Sequence, residues 1–251
     1  GKPKEEEEYR TLAEKIRHSV NKRFYHPETG VYGSGSEASF ACPLYAGVVE
    51  EQNIPRTVEL LVEEVHRKGD HLSTGEVGLK QLLTALARYG RSDVVYRIVT
   101  NRTQPSYWYF VDQGATTLPE YWDMERSQNH AMMGHVKEWL ARYLTGIDFT
   151  EPGYRRIRIR PCLPEGVEDA RATVPSPYGQ ISFAWKKGKG GVACELEVPF
   201  GTQAQVWLPA EREQELTVNG QLKADARMVG DGILDVGTFP SGRYTILLKK
   251  A

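Results

Sequence analysis

The chain has 251 residues, 40% of them hydrophobic, enough to bury the core of one large domain or of two ordinary ones. Its 32 Lys and Arg offset 33 Asp and Glu, so no net field holds a polyanion by phosphate neutralisation, and a nucleic-acid partner is not expected. No run approaches the roughly 18 consecutive apolar residues of a membrane span. The opening Lys2-Pro3-Lys4 followed by Glu5 to Glu8 is unlike a signal peptide, so a soluble chain is expected, with the compartment left open between cytoplasm, periplasm and exterior.

Up to about residue 150, apolar residues recur at helical spacing. Tyr9, Leu12, Ala13, Ile16 and Val20 form a first stripe, a less regular helix spans Phe40 to Val49, and Val58, Leu61, Val62 and Val65 follow Pro55, which suits a first helical turn. Leu79, Leu82, Leu83 and Leu86 form the next stripe; Val94, Val95, Ile98 and Val99 form another, with Ser92-Asp93 as N-cap. The longest runs from Met132 through Val136, Trp139 and Tyr143 to Leu144, with Gly146 as C-cap. These make about six helices, or three helical hairpins, joined by turns such as Pro27-Glu28-Thr29-Gly30.

After Pro152 the period becomes two: Ile157/Ile159, Ile181/Phe183/Trp185, Cys194/Leu196/Val198, Ala204/Val206/Leu208 and Tyr244/Ile246/Leu248. Lys187 to Gly191 and Asn219-Gly220 supply hairpin turns, the latter of type I′, and an antiparallel β-sandwich follows. The expected domains are therefore 1–150, helical, and 151–251, β-sandwich. Trp207 could serve a carbohydrate-binding face, but the preferred reading places Trp185 and Trp207 at least partly in the core. Cys42, Cys162 and Cys194 never fall in Cys-x-x-Cys spacing and read as small buried hydrophobes, so neither disulfide nor zinc is expected, and no cofactor.

The suggestive chemistry gathers between Pro105 and His130. Tyr107, Trp108, Tyr109, Phe110, Tyr121, Trp122 and His130 share this stretch with Glu120, Asp123 and Glu125, more aromatic and acidic side chains than a connector needs. Sugars are held in this way, with C–H faces on rings and hydroxyls on carboxylates, and rings around a carboxylate can raise its pKa. The plainer alternative is that the rings pack and the acids are solvated. A metal site from Asp123, Glu125 and His130 is disfavoured because no second His stands at ligand spacing.

The string Gly114-Ala115-Thr116-Thr117-Leu118-Pro119-Glu120-Tyr121-Trp122-Asp123, then Ser127-Gln128-Asn129-His130 and Gly134 through Ile147, resembles the C-terminal catalytic half of the α-L-rhamnosidases of glycoside hydrolase family 78. His71 to Gly75 with Val77-Gly78 resembles that family's helix-pair turn. Tyr154 to Pro161 and Ser176-Pro177-Tyr178-Gly179 resemble its C-terminal β-domain, so the likeness covers nearly the whole chain. It implies half of an (α/α)6 barrel followed by a β-sandwich, and release of terminal α-L-rhamnose by inversion. It further implies Glu120 as the base that activates water, and Trp122 and His130 on the sugar, with Trp108 and Glu37 as further substrate-binding candidates.

The chain departs from the family pattern at three places. Pro119 stands where Trp is usual before the motif glutamate, which alters one wall of the sugar pocket. Glu37 replaces a common Gln, and Glu76 an apolar residue or Gly; either is a pocket-rim carboxylate or a solvated one. About six helices are present where the barrel has twelve, and the Asp- and Glu-rich motif that carries the general acid is absent. Inversion needs two carboxyls about 6.5–9.5 Å apart. The chain is thus expected to be a portion of the hydrolase, inactive alone, that associates with itself or with the missing half. The alternatives are a non-catalytic carbohydrate-binding or structural fragment, and another glycosidase or a lyase of the superfamily using Tyr107, Tyr109 and His130 for proton abstraction.

Overall fold

The structure, a computed structural model, describes residues 2–211, 214–230 and 232–250, and the chain divides into two units, Gly1–Val136 and Lys137–Ala251. Helix α1 (Pro3–Phe24) has proline in its first turn, Glu5 and Glu6 at the positive end of its dipole and Lys22 and Arg23 at the negative end. It buries no residue. Tyr9, Leu12 and Ile16 of the predicted stripe are 67%, 49% and 50% exposed. Its C-terminal half is tied down: Asn21 Nδ2 donates to the Val48 carbonyl at 2.7 Å, the Tyr32 hydroxyl donates to Asn21 Oδ1, and Arg17 Nη1 lies 3.7 Å from Glu50 Oε2. A two-residue ribbon of β1 (Tyr25–His26) and β2 (Val31–Tyr32) closes around the Pro27 to Gly30 turn.

Helix α2 (Glu37–Ala46) is capped by Ser36, whose hydroxyl accepts from the Ser39 amide, and ends at Gly47 in the left-handed region. It packs Phe40, Ala41 and Leu44 against α3 (Ile54–Arg67) and α4 (Glu76–Arg88). Helix α4 is the centre of the unit, with Leu79, Leu82, Leu83 and Leu86 all buried. Each such side chain contributes about 1.5–3 kcal/mol of burial. Helix α5 (Ser92–Thr100) has its N-cap one residue ahead of the expected Ser92-Asp93: Arg91 takes that position without a side-chain bond, and Ser92 is helical and buried. Helix α6 (Tyr107–Asp112), not anticipated, is a six-residue turn capped by Ser106.

The stretch expected as the longest helix is broken. Ala131–His135 is 3-10, α7 (Val136–Trp139) is one α-turn, and Leu140–Leu144 is π-helical. The wide turn is closed by Thr145 N–H to Leu140 O at 2.9 Å and Gly146 N–H to Ala141 O at 3.1 Å, a spacing of five that a 3.6-residue pattern cannot announce. The second unit begins inside this stretch, ahead of residue 150 where the composition changes.

The β-strands are β3 (Ile147–Phe149), β4 (Arg156–Ile159), β5 (Asp169–Ser176), β6 (Gly179–Gly188), β7 (Gly191–Val198), β8 (Gln203–Pro209), β9 (Gln214–Val218), β10 (Gln221–Leu222), β11 (Arg227–Gly230), β12 (Ile233–Phe239) and β13 (Gly242–Lys250). They form a six-stranded sheet in the order β10-β9-β13-β7-β6-β5 and a five-stranded sheet in the order β11-β12-β8-β4-β3. Ile181, Phe183, Trp185, Cys194, Leu196, Ile157, Ile159, Val206 and Leu208 are buried, as the period of two requires. The sandwich is not wholly antiparallel: β4 runs parallel to β8, Arg156 facing Gln203. Strands β5 to β7 of the other sheet intervene, the long crossover that a parallel pair demands. Asn219 (φ 50°) and Gly220 (φ 79°) form the expected type I′ turn. Trp185 is 1% exposed and its indole N–H donates to the Leu144 carbonyl at 2.9 Å, while Trp207 is half-buried.

Gly146, the expected C-cap, adopts φ 92°, and a Cβ there would lie 2.3 Å from the Pro161 nitrogen. Both the conformation and the space exclude a side chain. Gly146→Ala is expected to cost about 2 kcal/mol or more, read as a lower urea midpoint; an unchanged midpoint would show that this turn can relax without loss.

Candidate functional site

Between α6 and Ala131 the chain has no helix or strand, so its shape rests on individual bonds. The Glu120 amide donates to the Ser127 carbonyl at 2.7 Å, the His130 amide to the Leu118 carbonyl at 2.7 Å, and the Thr117 hydroxyl to the Gln128 carbonyl. These three bonds fold 117–130 back on itself, which brings Glu120, Trp122 and His130 into one hairpin-like loop. The Trp122 ring stacks on Phe110 at 5.3 Å and 10°, and meets Tyr107 edge-on at 5.7 Å and 88°. Its carbonyl accepts from Gln104 Nε2 at 2.8 Å.

Glu120 is half-buried, and its carboxylate has no hydrogen-bond or ion-pair partner among the described residues. Asp123 and Glu125 are exposed, and Asp123 Oδ1 accepts from the Glu125 amide at 3.0 Å, a solvated turn. No group of three or more His, Cys, Asp or Glu side chains placed to hold a metal occurs among the described residues. His130 Nε2 lies 3.2 Å from Glu76 Oε1 in the first turn of α4. That is ion-pair distance without hydrogen-bonding geometry, and the buried nitrogen has no hydrogen-bond partner. Trp108 is 37% exposed under the Arg102 guanidinium, 5.4 Å from the ring centre.

Tyr107 is buried and its hydroxyl donates to the Met133 carbonyl at 2.7 Å. Burial pushes its phenol well above the usual tyrosine range. A phenol so held does not ionise near neutrality, which weighs against a lyase base at this position.

Glu37 stands apart from the loop. Expected at a pocket rim or in solvent, it is 1% exposed at the start of α2, where Oε2 accepts from the Ser73 amide at 3.1 Å and Oε1 has no partner. A carboxyl at a helix N-terminus gains from the dipole and the Ser73 amide, which is why it tolerates an interior position. The sequence offered no sign of this burial, since acids are read as surface residues by default. The platform role of Phe110 and Tyr107 was equally hidden, because ring pairing is a property of the folded loop.

Residues 1–144 match the family described as bacterial alpha-L-rhamnosidase 6 hairpin glycosidase domain, and residues 146–223 match bacterial alpha-L-rhamnosidase C-terminal domain. Over 251 aligned residues the chain is 33% identical to an alpha-L-rhamnosidase of Streptomyces avermitilis, covering 95% of this chain and 24% of that protein. With one from Formosa agariphila it shares 31% identity over 97% of this chain and 27% of the other. The solved alpha-L-rhamnosidase of Dictyoglumus thermophilum superposes on the whole chain with TM-score 0.93 and 27% identity, over 29% of its own length. The Streptomyces avermitilis alpha-L-rhamnosidase complexed with L-rhamnose gives TM-score 0.84 and 30% identity, over 93% of this chain and 23% of that one. The chain thus spans about a quarter of the relatives it matches.

Burial raises the Glu37 carboxyl above the ordinary carboxylate range, and the Ser73 hydrogen bonds offset part of that rise. Such a group favours the fold most when protonated, so its contribution is greatest below the unfolded value of about 4.3 and is lost as pH rises through the raised folded value. Glu37→Gln removes the titration and keeps an acceptor for the Ser73 amide. The variant should match or exceed the wild-type urea midpoint at pH 7, with the difference shrinking at pH 4. A variant weaker at pH 7 and equal at pH 4 would mean that the charge itself stabilises.

Proposed function

The chain belongs to the bacterial α-L-rhamnosidase family, and from that premise we propose that it is the C-terminal portion of an inverting glycoside hydrolase that releases terminal α-L-rhamnose from glycosides or polysaccharides. The observation that carries this reading is the unpaired, half-buried carboxylate of Glu120 in a loop shared with Trp122 and His130. A carboxylate with no cation or donor on it is free to accept a proton from water, the task of the base in inversion. Trp122 offers a flat apolar wall supported by Phe110, and His130 a polar group across the loop; together they suit one sugar ring. Trp108, open to solvent on α6, is the candidate for a sugar unit further out. Glu37, being interior, serves the fold around the α4 turn.

The general acid belongs to the portion of the relatives that this chain does not span. One carboxylate supplies only half of the proton traffic of inversion, so the chain alone turns nothing over. The open stripe of Tyr9, Leu12 and Ile16 on α1 supports the same reading from the side of folding: it is the kind of face that a further helical hairpin covers.

In the intact hydrolase, Glu120→Gln should lower kcat on an aryl α-L-rhamnoside by about 10²–10⁴, since an amide cannot take the proton of the attacking water. Stability should move by less than about 0.5 kcal/mol, because the carboxylate has no partner to lose. Unchanged turnover would remove Glu120 from the reaction. The isolated chain should show no turnover and should sediment as an associated species at micromolar concentration. A clean monomer would refute the association, and turnover abolished by Glu120→Gln would refute its incompleteness.

A further inference from the structure

His130 is held on two sides. Its amide donates to the Leu118 carbonyl at 2.7 Å, which fixes the backbone, and its Nε2 lies 3.2 Å from Glu76 Oε1. Nε2 is buried and has no hydrogen-bond partner, so the 29% of the side chain that solvent reaches belongs to its other atoms. Nδ1 is the remaining ring nitrogen. A neutral imidazole carries one proton, and its location is decided by the group that faces either nitrogen. A carboxylate beside Nε2 favours the proton there, because the opposite arrangement would set the buried Nε2 lone pair against a negative oxygen 3.2 Å away. Nδ1 is then left as an acceptor.

Glu76 reaches this nitrogen because of its place in the fold. It is the first residue of α4, a helix whose later turns are locked in the core by Leu79, Leu82, Leu83 and Leu86. The N-cap, Gly75, has no side chain to satisfy the first amides, and an acidic residue in that turn is favoured by the helix dipole. The turn that follows His130, Ala131–His135, packs on α4 as well. Carboxylate and imidazole are therefore mounted on elements that already touch, one of them rigid.

From this geometry we infer that Glu76 is a positioning residue: it fixes His130 in the Nε2–H tautomer and directs the Nδ1 lone pair toward the ligand, so that His130 accepts a hydrogen bond from a sugar hydroxyl. The inference rests on the sugar-site reading above for the identity of the ligand, but not for the tautomer. It specifies the ligand's chemistry at this point as a hydroxyl donor. A deoxy or O-methylated sugar at that position loses the contact.

The test is long-range ¹H–¹⁵N correlation of His130 in the ¹⁵N-labelled chain, recorded at a pH where the nitrogen shifts themselves show a neutral ring. The wild type should show a protonated Nε2 and an unprotonated Nδ1. Glu76→Gln, whose amide oxygen can take the same place beside Nε2, should retain that pattern. Glu76→Ala should lose it, the two nitrogen shifts converging toward the averaged value of mixed tautomers. Should Glu76→Ala lose α4, as the backbone amide spectrum would reveal, Glu76→Asp keeps the acidic first turn while withdrawing the carboxylate, and the same convergence is expected. A wild type with Nδ1 protonated, or a Glu76→Ala or Glu76→Asp chain with the wild-type pattern, overturns the inference. Addition of L-rhamnose, followed at the Trp122 indole and at His130, separates the two readings: no response to the sugar with the tautomer as expected counts against the sugar site alone.

Discussion

The flat stack of Trp122 on Phe110 is the contact on which the arrangement of the candidate site depends. Ordering a residue outside regular structure costs about 1–2 kcal/mol of backbone entropy, and the stretch from Gln113 to His130 has no helix or strand to offset it. The aromatic stack, the edge contact to Tyr107 and three bonds across the loop supply what holds it. Tyr107 does double service. It is the first residue of the helix that leads into the loop, and its hydroxyl binds the Met133 carbonyl just beyond the loop's end. Entry and exit are thereby tied by one buried side chain, with Glu120 suspended between them.

Helices α1 and α4 show what a finished and an unfinished surface look like in one chain. Both carry apolar residues at helical spacing, but on α4 eight residues are buried and on α1 none. Secondary structure is not what separates them, since α1 is the longer and has acid and base at its proper ends. What α1 lacks is a neighbour along Tyr9, Leu12 and Ile16, and most helical stability comes from such packing. A protein that spans about a quarter of its relatives' length and carries this stripe accords with a helical domain whose remaining hairpins lie elsewhere.

Much of this architecture was legible in the residues. The helices α3, α4 and α5 announced themselves by apolar spacing, and the strands around Phe183, Leu196 and Val206 by alternation, because each pattern is the local imprint of a buried face; α1 was legible by the same spacing although its stripe lies exposed. Asn219-Gly220 was legible because few other pairs accept positive φ at both positions. Helix α6 was not, since six residues that are mostly aromatic contain no full period. The π segment at Leu140 was read as α because the two share apolar positions over one turn. The parallel pairing of β4 with β8 depends on a partner more than forty residues away and leaves no local trace. In the loop, the motif around Glu120 was recognisable as text, whereas the Glu76–His130 contact and the burial of Glu37 are decided by how α2 and α4 meet.

The cations near the loop bear on what Glu120 can do. Arg126 lies over the Tyr121 ring at 4.9 Å, and Arg102 engages Asp112 at 3.2 Å and the Trp108 face. Each guanidinium is thus occupied away from Glu120. A guanidinium on the carboxylate would stabilise the charged form, lower its proton affinity and fill the place of the attacking water, which would suit stability and defeat a base. A base left unpaired is nevertheless only half of a catalyst. Its advantage over a carboxylate in water grows when solvent is excluded and fixed dipoles face the charge that develops at the sugar. A loop with Tyr121, Asp123, Glu125 and Ser127 all exposed excludes little solvent by itself. On the proposed reading of Glu120 as the base, the loop keeps its carboxylate unpaired, and the enclosure is to be sought in the part of the relatives that this chain does not span.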